Sequence, residues 1–111
     1  MSKESNQPTY SLAEMKKLVE KDSFLPTIRV YSYLDNHYFD KSPHDIVKEV
    51  FSRLEEKDFI KSVELKKRPN KMADVYVGGW YDDEDWYVKA FIEDDGIAVH
   101  IWSMCWDGSQ H

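Results

Sequence analysis

The chain has 111 residues, enough for one domain with a hydrophobic core and a modest stability margin. Hydrophobic residues make up 41% and aromatic residues 14%, a composition that argues against disorder over most of the length. Cys105 is the single cysteine, which excludes an internal disulfide framework and is typical of a reducing cytosol. With a formal net charge of -6, the protein is acidic overall.

The N-terminal stretch "MSKESNQPTY" is polar and lacks the apolar segment of a signal peptide. Apolar runs elsewhere are a few residues long, whereas a membrane-spanning helix needs about 20 residues. We therefore expect a cytoplasmic protein without a membrane partner. Residues 1–9 are predicted as a flexible lead-in, residues 10–106 as a single domain and residues 107–111 as a tail.

Three helices are predicted in the first half of the chain. Ser11 and Glu14 form an S-x-x-E capping box in front of the first helical pattern. The stretch "TIRVYSYLDNHYFD" is rich in β-branched and aromatic residues, but its apolar residues recur every four positions, and we favour a short helix over a strand. Ser42 and Pro43 suit the N-cap and the N1 position of a third helix, which is predicted to run to about Glu56.

The apolar period then changes from helical to alternating, which indicates strands. Four strands are predicted, within "FIKSVELK", "ADVYVGGW", "DWYVKAFIE" and "GIAVHIWSMCW". The residues Asp94, Asp95 and Gly96 predict a tight turn between the last two, and Gly78, Gly79 and residues 82–85 are assigned to the turn before them. This order predicts an α+β fold, with N-terminal helices packed on one face of an antiparallel sheet of about four or more strands.

Charge is distributed unevenly along the chain. Residues 1–71 hold 14 basic and 12 acidic residues, whereas residues 72–111 hold one basic residue, Lys89, and nine acidic ones. This asymmetry favours two faces with different partners, although a chance distribution of solubilising charges explains it equally well. A basic loop is predicted near the middle of the chain, which either follows phosphates or contacts an acidic partner. On the first alternative its candidate RNA-binding residues are Lys66, Lys67, Arg68 and Lys71.

Lys61 occupies an unusual place in the strand pattern. Strict alternation puts it on the same face as Phe59, Val63 and Leu65, and lysine is rarely buried among apolar residues without a partner. Either its ammonium group reaches water at the edge of the strand, or it lines a pocket that accepts an anion.

Two further strands carry candidate catalytic residues. Tyr87 and Lys89 are two positions apart, so both side chains can reach one phosphate or, alternatively, lie on a solvated outer face. His100 is a candidate general acid or base, and alternation puts it on one face with Trp102, Met104 and Trp106. The two tryptophans are candidates for stacking on bases, although core packing is the more common role of such residues.

No cofactor or metal site is predicted. The histidines are scattered instead of following zinc-ligand spacing, and no glycine-rich phosphate loop occurs. The acidic residues 82–85 are better explained as a solvated turn than as a divalent-ion site.

Taken in order, these segments resemble the motility quorum-sensing regulator (MqsR) family of toxins from bacterial type II toxin–antitoxin systems. "YSLAEMKKLVEK" is similar to the family's opening helix, and "DIVKEVFSRLEEKDFIKS" to its D-I-x-x-V-x-x-x-L-x-x-x-D-F-Y-K-S-M segment. "ADVY" matches the end of the W-Q-D-V-Y motif, and "WYVKAFIEDDGIAVHIW" is similar to the final hairpin. The resemblance extends from about Tyr10 to about Ser103, and the order and spacing of the pieces carry it.

The resemblance implies a RelE-like fold and a metal-independent mRNA endoribonuclease that a cognate antitoxin neutralises. Lys61 falls on the lysine of D-F-Y-K-S and Tyr87 on the tyrosine of V-Y-L-K, both of which the family places in its active site. Lys89 falls on the lysine that follows. Together with His100, these residues form the candidate catalytic set.

Several positions depart from the family pattern. Ala73 and Met72 stand where the family has glutamine and tryptophan, and Trp102 stands near the place of a lysine. Ile60 replaces a tyrosine, and residues 77–78 replace an Arg-Pro pair. Two expected catalytic side chains are therefore absent, which leaves open a non-catalytic protein- or RNA-binding module of the same fold. Mimicry of nucleic acid by the acidic C-terminal half is a third interpretation, which the basic stretch opposes.

Overall fold

A computed structural model of the chain describes residues 3–109, in which three helices pack against a six-stranded mixed sheet. The helices are α1 (Leu12–Glu20), α2 (Ile28–His37) and α3 (Pro43–Arg53). The strands are β1 (Glu4–Ser5), β2 (Phe24–Pro26), β3 (Phe59–Leu65), β4 (Arg68–Tyr81), β5 (Glu84–Ile92) and β6 (Val99–Trp106). Their order in the sheet is β1-β3-β4-β5-β6-β2. The predicted α+β class is confirmed.

The helices begin where the sequence predicts. The Ser11 hydroxyl accepts a hydrogen bond from the Glu14 N–H group at 3.2 Å, and the Thr27 hydroxyl accepts one from Val30 at 3.4 Å. The ambiguous second segment is thus a helix. α3 ends at Arg53, earlier than predicted, because the next residue adopts extended backbone geometry. Within the described part of the chain, none of the helices is both long and apolar enough to cross a membrane.

Strands β3 to β6 form the antiparallel meander that the alternating pattern predicts. β1 adds to β3 in antiparallel orientation, whereas β2 pairs in parallel with β6. The sheet is therefore mixed, and the prediction of an antiparallel sheet is wrong for this edge strand. A three-residue strand before α2 gave no alternating pattern long enough to detect.

The segment before α1 is fastened to the sheet by Asp74 of β4, a fully buried residue. Its carboxylate accepts hydrogen bonds from the N–H groups of Thr9 at 3.0 Å and Tyr10 at 2.9 Å. The Thr9 hydroxyl lies 2.6 Å from that of Ser62, which is also buried. Buried polar groups need such partners in place of water. These contacts hold β1 on the sheet, so residues predicted as a lead-in contribute a strand.

α2 covers the part of β6 that β2 leaves unpaired. β2 pairs only with residues 99–101 of β6. Beyond that point the Thr27 hydroxyl donates to the Trp102 carbonyl at 3.2 Å, and the Trp106 N–H group donates to the Tyr33 hydroxyl at 3.1 Å. Covering a free strand edge in this way satisfies its polar groups and blocks pairing with another chain. The start of α2 is thereby fixed beside the middle of β6.

Two register shifts change the faces that strict alternation predicts. In β3, Phe59 pairs with Tyr76 but Lys61 pairs with Val75, so Ile60 is an extra residue. Phe59 therefore turns towards the helices, where its ring lies 5.6 Å from that of Tyr76. The prediction that Phe59 shares a face with Lys61 is wrong because alternation cannot reveal a bulge.

A second shift lies in β6, where Ile101 pairs with Ala90 and Ser103 pairs with Lys89. Trp102 is the extra residue, and the alternation reverses after it. Met104 is consequently buried in the core beneath the helices, although the sequence places it with His100. The same reversal moves Trp106 to the helix side and brings Ser103 and Cys105 to the opposite face.

The turn between β4 and β5 is shorter than predicted. β4 continues through Gly78 and Gly79 to Tyr81, and the turn consists of Asp82 and Asp83, both with positive φ. The two glycines instead lie at a register shift in the strand. Gly79 has φ +69°, and a Cβ atom there would lie 2.8 Å from the Val50 carbonyl oxygen of α3. Close contact between β4 and α3 thus requires glycine.

Replacement of Gly79 tests this requirement. We expect Gly79→Ala to lower the free energy of unfolding by about 2–4 kcal/mol, because left-handed backbone strain and a clash with α3 add together. Gly96→Ala is the matched control, since Gly96 has φ +73° but open space around it, and should cost about 1 kcal/mol. Urea denaturation followed by tryptophan fluorescence measures both. Equal losses for the two variants would contradict the packing argument.

Candidate anion-binding groove

The helices cover one face of the sheet. One cavity lies on the opposite face, and a second cavity adjoins it at the edge of the sheet beside α2. The larger, called here the cationic cavity, has a volume of about 570 Å³, and five of its lining residues are basic: Arg29, Lys61, Lys66, Lys67 and Lys89. The smaller, called the side cavity, has a volume of about 280 Å³ and shares Arg29 and Tyr87 with the first. The two cavities form one continuous groove, whose charge is concentrated in the larger part.

Strand register sets the centre of the cationic cavity. Lys61 of β3 pairs with Val75 of β4, Val75 with Lys89 of β5, and Lys89 with Ser103 of β6. These residues form one row across four strands and point to the same face. The Cα atoms of the two lysines are roughly 10 Å apart, since neighbouring strands are 4.7–4.9 Å apart. Their ammonium groups can therefore contact one bound anion.

Lys89 is the most perturbed cation of the row. Burial lowers the pKa of Lys89, and the positive charges of Lys61, Arg29 and Lys66 lower the pKa further. Partial burial removes water from the ammonium group, and like charges nearby disfavour its charged form. The groove thus holds more positive charge than its own acids neutralise. An anion bound beside Lys89 would relieve this repulsion, and such perturbed groups in a cleft are typical of functional sites.

Lys61 combines the two roles that the sequence left open. Its side chain is 44% exposed and also lines the cationic cavity. The ammonium group lies 3.5 Å from the carboxylate of Glu4 in β1. An exposed pair of this kind contributes little to stability. The Glu4 carboxylate therefore occupies a position next to Lys61 that an incoming anion can take over.

Tyr87 stands between the two cavities and belongs to the row next to that of Lys89. Burial raises the pKa of Tyr87, with a smaller contribution from the nearby Cys105 thiol. The hydroxyl consequently keeps its proton at neutral pH and can donate a hydrogen bond or a proton to a bound group.

The predicted basic loop is divided between two places. Lys66 and Lys67 form the turn between β3 and β4 and lie at the cationic cavity, whereas Arg68 and Lys71 already belong to β4. Lys71 donates to Asp94 at 2.8 Å, and Arg68 donates to Glu93 at 3.4 Å. Both cations also lie over the Phe91 ring, at 4.8 Å and 5.0 Å. The prediction of one loop is wrong, because β4 begins earlier than its alternating pattern indicates.

His100 lies on the groove face but lines neither cavity. It pairs with Phe91, one position beyond Lys89 on that face, and its ring lies 5.0 Å from the Phe91 ring and 5.6 Å from Trp102. Its Nδ1 atom is 3.6 Å from the Glu93 carboxylate. The structure therefore brings together Lys61, Tyr87 and Lys89 and sets His100 apart from them.

Arg29 and Ser103 are groove residues that the sequence did not identify. Arg29 is the second residue of α2 and reaches both cavities because α2 runs along the edge of β6. Ser103 faces the groove only because Trp102 is bulged. Neither position carries a local signal, since one depends on packing between distant elements and the other on an irregular register.

The fold and the groove define an α+β protein with a cationic surface site. No protein-family model matches the sequence, and no curated protein is significantly similar to it. Among residues 3–109, no group of three or more His, Cys, Asp or Glu side chains is arranged to hold a metal ion. The groove's chemistry must therefore be inferred from its own side chains.

Removal of Lys89 should stabilise the protein and weaken anion binding. The folded-state pKa lies below the unfolded-state value, so the charged form opposes folding at neutral pH, and this opposition fades as pH rises through the folded-state pKa. We expect Lys89→Met to raise the unfolding free energy at pH 7 by about 0.5 kcal/mol or less, because solvent screens the charge of this partly exposed group. Urea denaturation measures the change, with Lys17→Met on the exposed side of α1 as the control. A less stable Lys89→Met variant would contradict the electrostatic account.

Glu4 supplies a second test of the groove. Glu4→Gln removes the carboxylate beside Lys61 without changing the side chain's size. We expect the affinity for inorganic pyrophosphate to rise about two- to fivefold at low salt, because Lys61 loses a competing partner. Isothermal titration calorimetry measures the change. The control is Glu14→Gln on exposed α1, and an equal effect of both variants would indicate net charge alone.

Proposed function

We propose that the groove binds single-stranded RNA and that the protein is a toxin-like mRNA endoribonuclease of a type II toxin–antitoxin system. The observation that supports this most is that Lys61, Lys89 and Arg29 line one cavity together with Tyr87. A cluster of unneutralised cations beside a protonated hydroxyl suits a phosphodiester, which is anionic and needs a proton donor when its bond breaks.

The proposed reaction uses only side chains of this protein as acid, base and charge-stabilising groups. The 2′-oxygen of the RNA attacks the adjacent phosphorus, its proton leaves to a base, and the bond from phosphorus to the 5′-oxygen breaks. The products are a 2′,3′-cyclic phosphate and a 5′-hydroxyl, whose proton comes from an acid. Cations beside the non-bridging oxygens stabilise the additional negative charge of the transition state.

Roles follow from the environments of the side chains. Tyr87 is the proton donor to the 5′-oxygen, since its raised pKa keeps it protonated. Lys61 and Arg29 hold the phosphate oxygens from opposite sides of the cationic cavity. Lys89, whose pKa is lowered, is the group closest to accepting the 2′-proton. Lys66 and Lys67 contact the flanking backbone, which makes affinity dependent on salt.

The motif resemblance supports the same proposal, because it aligns Lys61 and Tyr87 with the family's active site and Lys89 with the lysine that follows. It also supplies the partner, a cognate antitoxin protein, and a cytoplasmic location where mRNA is present. Co-expression with the product of a neighbouring gene, followed by affinity purification, tests the antitoxin directly.

Cleavage of RNA by purified protein is the central experiment. A short single-stranded transcript is incubated in EDTA, and mass spectrometry detects the 2′,3′-cyclic phosphate ends. We expect Lys61→Ala to lower the rate roughly 10²-fold through lost charge stabilisation. Tyr87→Phe should also lower it roughly 10²-fold through the lost proton donor.

The matched control for Lys61→Ala is Lys17→Ala, which removes the same charge from an exposed position on α1 across the sheet. It should leave the rate unchanged. Absence of cleavage by the unmodified protein, or equal rates for all variants, would overturn the endoribonuclease proposal.

A non-catalytic RNA- or protein-binding module is the second candidate function. The absence of two family side chains, at Ala73 and near Trp102, favours it. Under this alternative the unmodified protein binds the transcript, Lys61→Ala weakens binding, and no cyclic phosphate forms. Unimpaired growth of cells that express the protein without an antitoxin would agree with it.

A further inference from the structure

The side cavity differs in chemistry from the cationic cavity that it joins. Apart from the shared Arg29, its lining carries no charged side chain and consists of Val30, Tyr33, Tyr87, Ser103, Met104 and Cys105. Its volume of about 280 Å³ is near the lower end of small-molecule pockets, which combine apolar walls with a few polar groups. A charged ligand group would gain little there, whereas a flat uncharged group with polar edges matches the walls.

The side cavity is also built from rigidly held parts. Val30 and Met104 belong to the buried core and form its floor. Tyr33 forms one wall of the side cavity. Its hydroxyl accepts a hydrogen bond from the Trp106 N–H group at 3.1 Å, and its ring stacks on the His37 ring with the centroids 4.1 Å apart. Preorganised walls reduce the entropy that binding would otherwise cost.

The two cavities together have the layout of a nucleotide. Both include Arg29 and Tyr87, so a group in one cavity is adjacent to a group in the other. A nucleotide joins an anionic phosphate to an uncharged heteroaromatic base across a single sugar. We propose that the side cavity binds one nucleobase of a single-stranded nucleic acid, next to a phosphate held by Lys61 and Lys89.

This inference rests on the proposed binding of RNA backbone in the cationic cavity. It goes further by assigning a base-recognition site to Ser103, Cys105 and Tyr33. Ser103 and Tyr33 line the side cavity, and hydroxyl groups of this kind can form hydrogen bonds to the edge of a base. An apolar floor with hydroxyl groups at its rim favours bases over sugars and phosphates.

Binding of uncleavable oligonucleotides separates the two cavities. The probes are a 2′-O-methyl RNA tetranucleotide and a tetramer of the same backbone with abasic sugars, which carry equal charge. We expect the base-containing probe to bind roughly ten- to hundredfold more tightly, within the range that one base contact contributes. Fluorescence anisotropy measures both affinities, and four homopolymers show whether one base is preferred.

Ser103→Leu fills the side cavity and should remove the difference between the two probes, because it weakens the base-containing probe far more than the abasic one. Ser52→Leu is the matched control, because it makes the same substitution at an exposed position of α3 across the sheet. If the base-containing probe keeps its advantage in folded Ser103→Leu, the base site is overturned.

Cys105 gives a readout that needs no substitution. As the only cysteine, and a lining residue of the side cavity, it reports occupancy through its rate of alkylation by iodoacetamide. The base-containing probe should slow alkylation, and the abasic probe should slow it much less. Equal protection by both probes would contradict the assignment.

The outcomes distinguish this inference from the function it rests on. Equal binding of both probes overturns the base site but keeps the backbone site. Failure of both probes to bind overturns RNA binding itself, and binding of an acidic peptide in their place would indicate a protein partner. Loss of cleavage alone would leave both binding assignments intact.

Discussion

The architecture depends on one constraint, that all three helices pack on a single face of the sheet. Their apolar sides bury the main core, which includes Trp86, Val88 and Ile101 of the sheet. The helices leave the other face open. A smaller cluster of Leu65, Ala73 and Phe91 is buried there, and the remaining side chains face water or a ligand. Lysine, tyrosine and tryptophan suit such a surface, because apolar stems or rings pack on the sheet while polar ends reach solvent. The groove is therefore a consequence of the layer arrangement.

Stability and binding oppose each other on this face. Lys89 lies within a strand, beside cations on β3 and α2 that lower its pKa, so the free protein contains an electrostatic conflict. A fold under selection for stability alone would place an apolar or acidic residue here. An anion resolves the conflict when it binds, so the unfavourable energy of the free state becomes a source of affinity.

Local patterns in the sequence located the three α-helices and the four long strands, but they missed the end of α3 and both ends of β4. Capping signals fix α1 and α3, and alternation with turn residues fixes the meander. Local patterns could not reveal the bulges at Ile60 and Trp102, because a pattern that repeats every two residues does not show where a strand contains one extra residue. Because of these two bulges, Ser103 faces the groove and Phe59 faces the helices. Arg29 was missed for a different reason, because its position depends on parallel pairing between β2 and β6, which are distant in sequence.

The arrangement of charge favours one direction for an anionic chain that lies in the groove. Acidic residues 82–85 lie at one end of β5, and Asp94 and Asp95 lie beyond the other end. Lys89 stands between them, four residues from Asp85 and five from Asp94, which is roughly 13 Å and roughly 17 Å along the strand. A polyanion lying along β5 would meet these acids, whereas one crossing the strands would follow cations from Lys61 through Lys89 to α2. Coulomb repulsion from these acids extends over a Debye length of about 8 Å and disfavours the path along β5. The acids therefore favour a short anionic chain that crosses the sheet. An acidic protein with a net charge of -6 can thus bind an anionic chain, because five basic residues are gathered around one cavity.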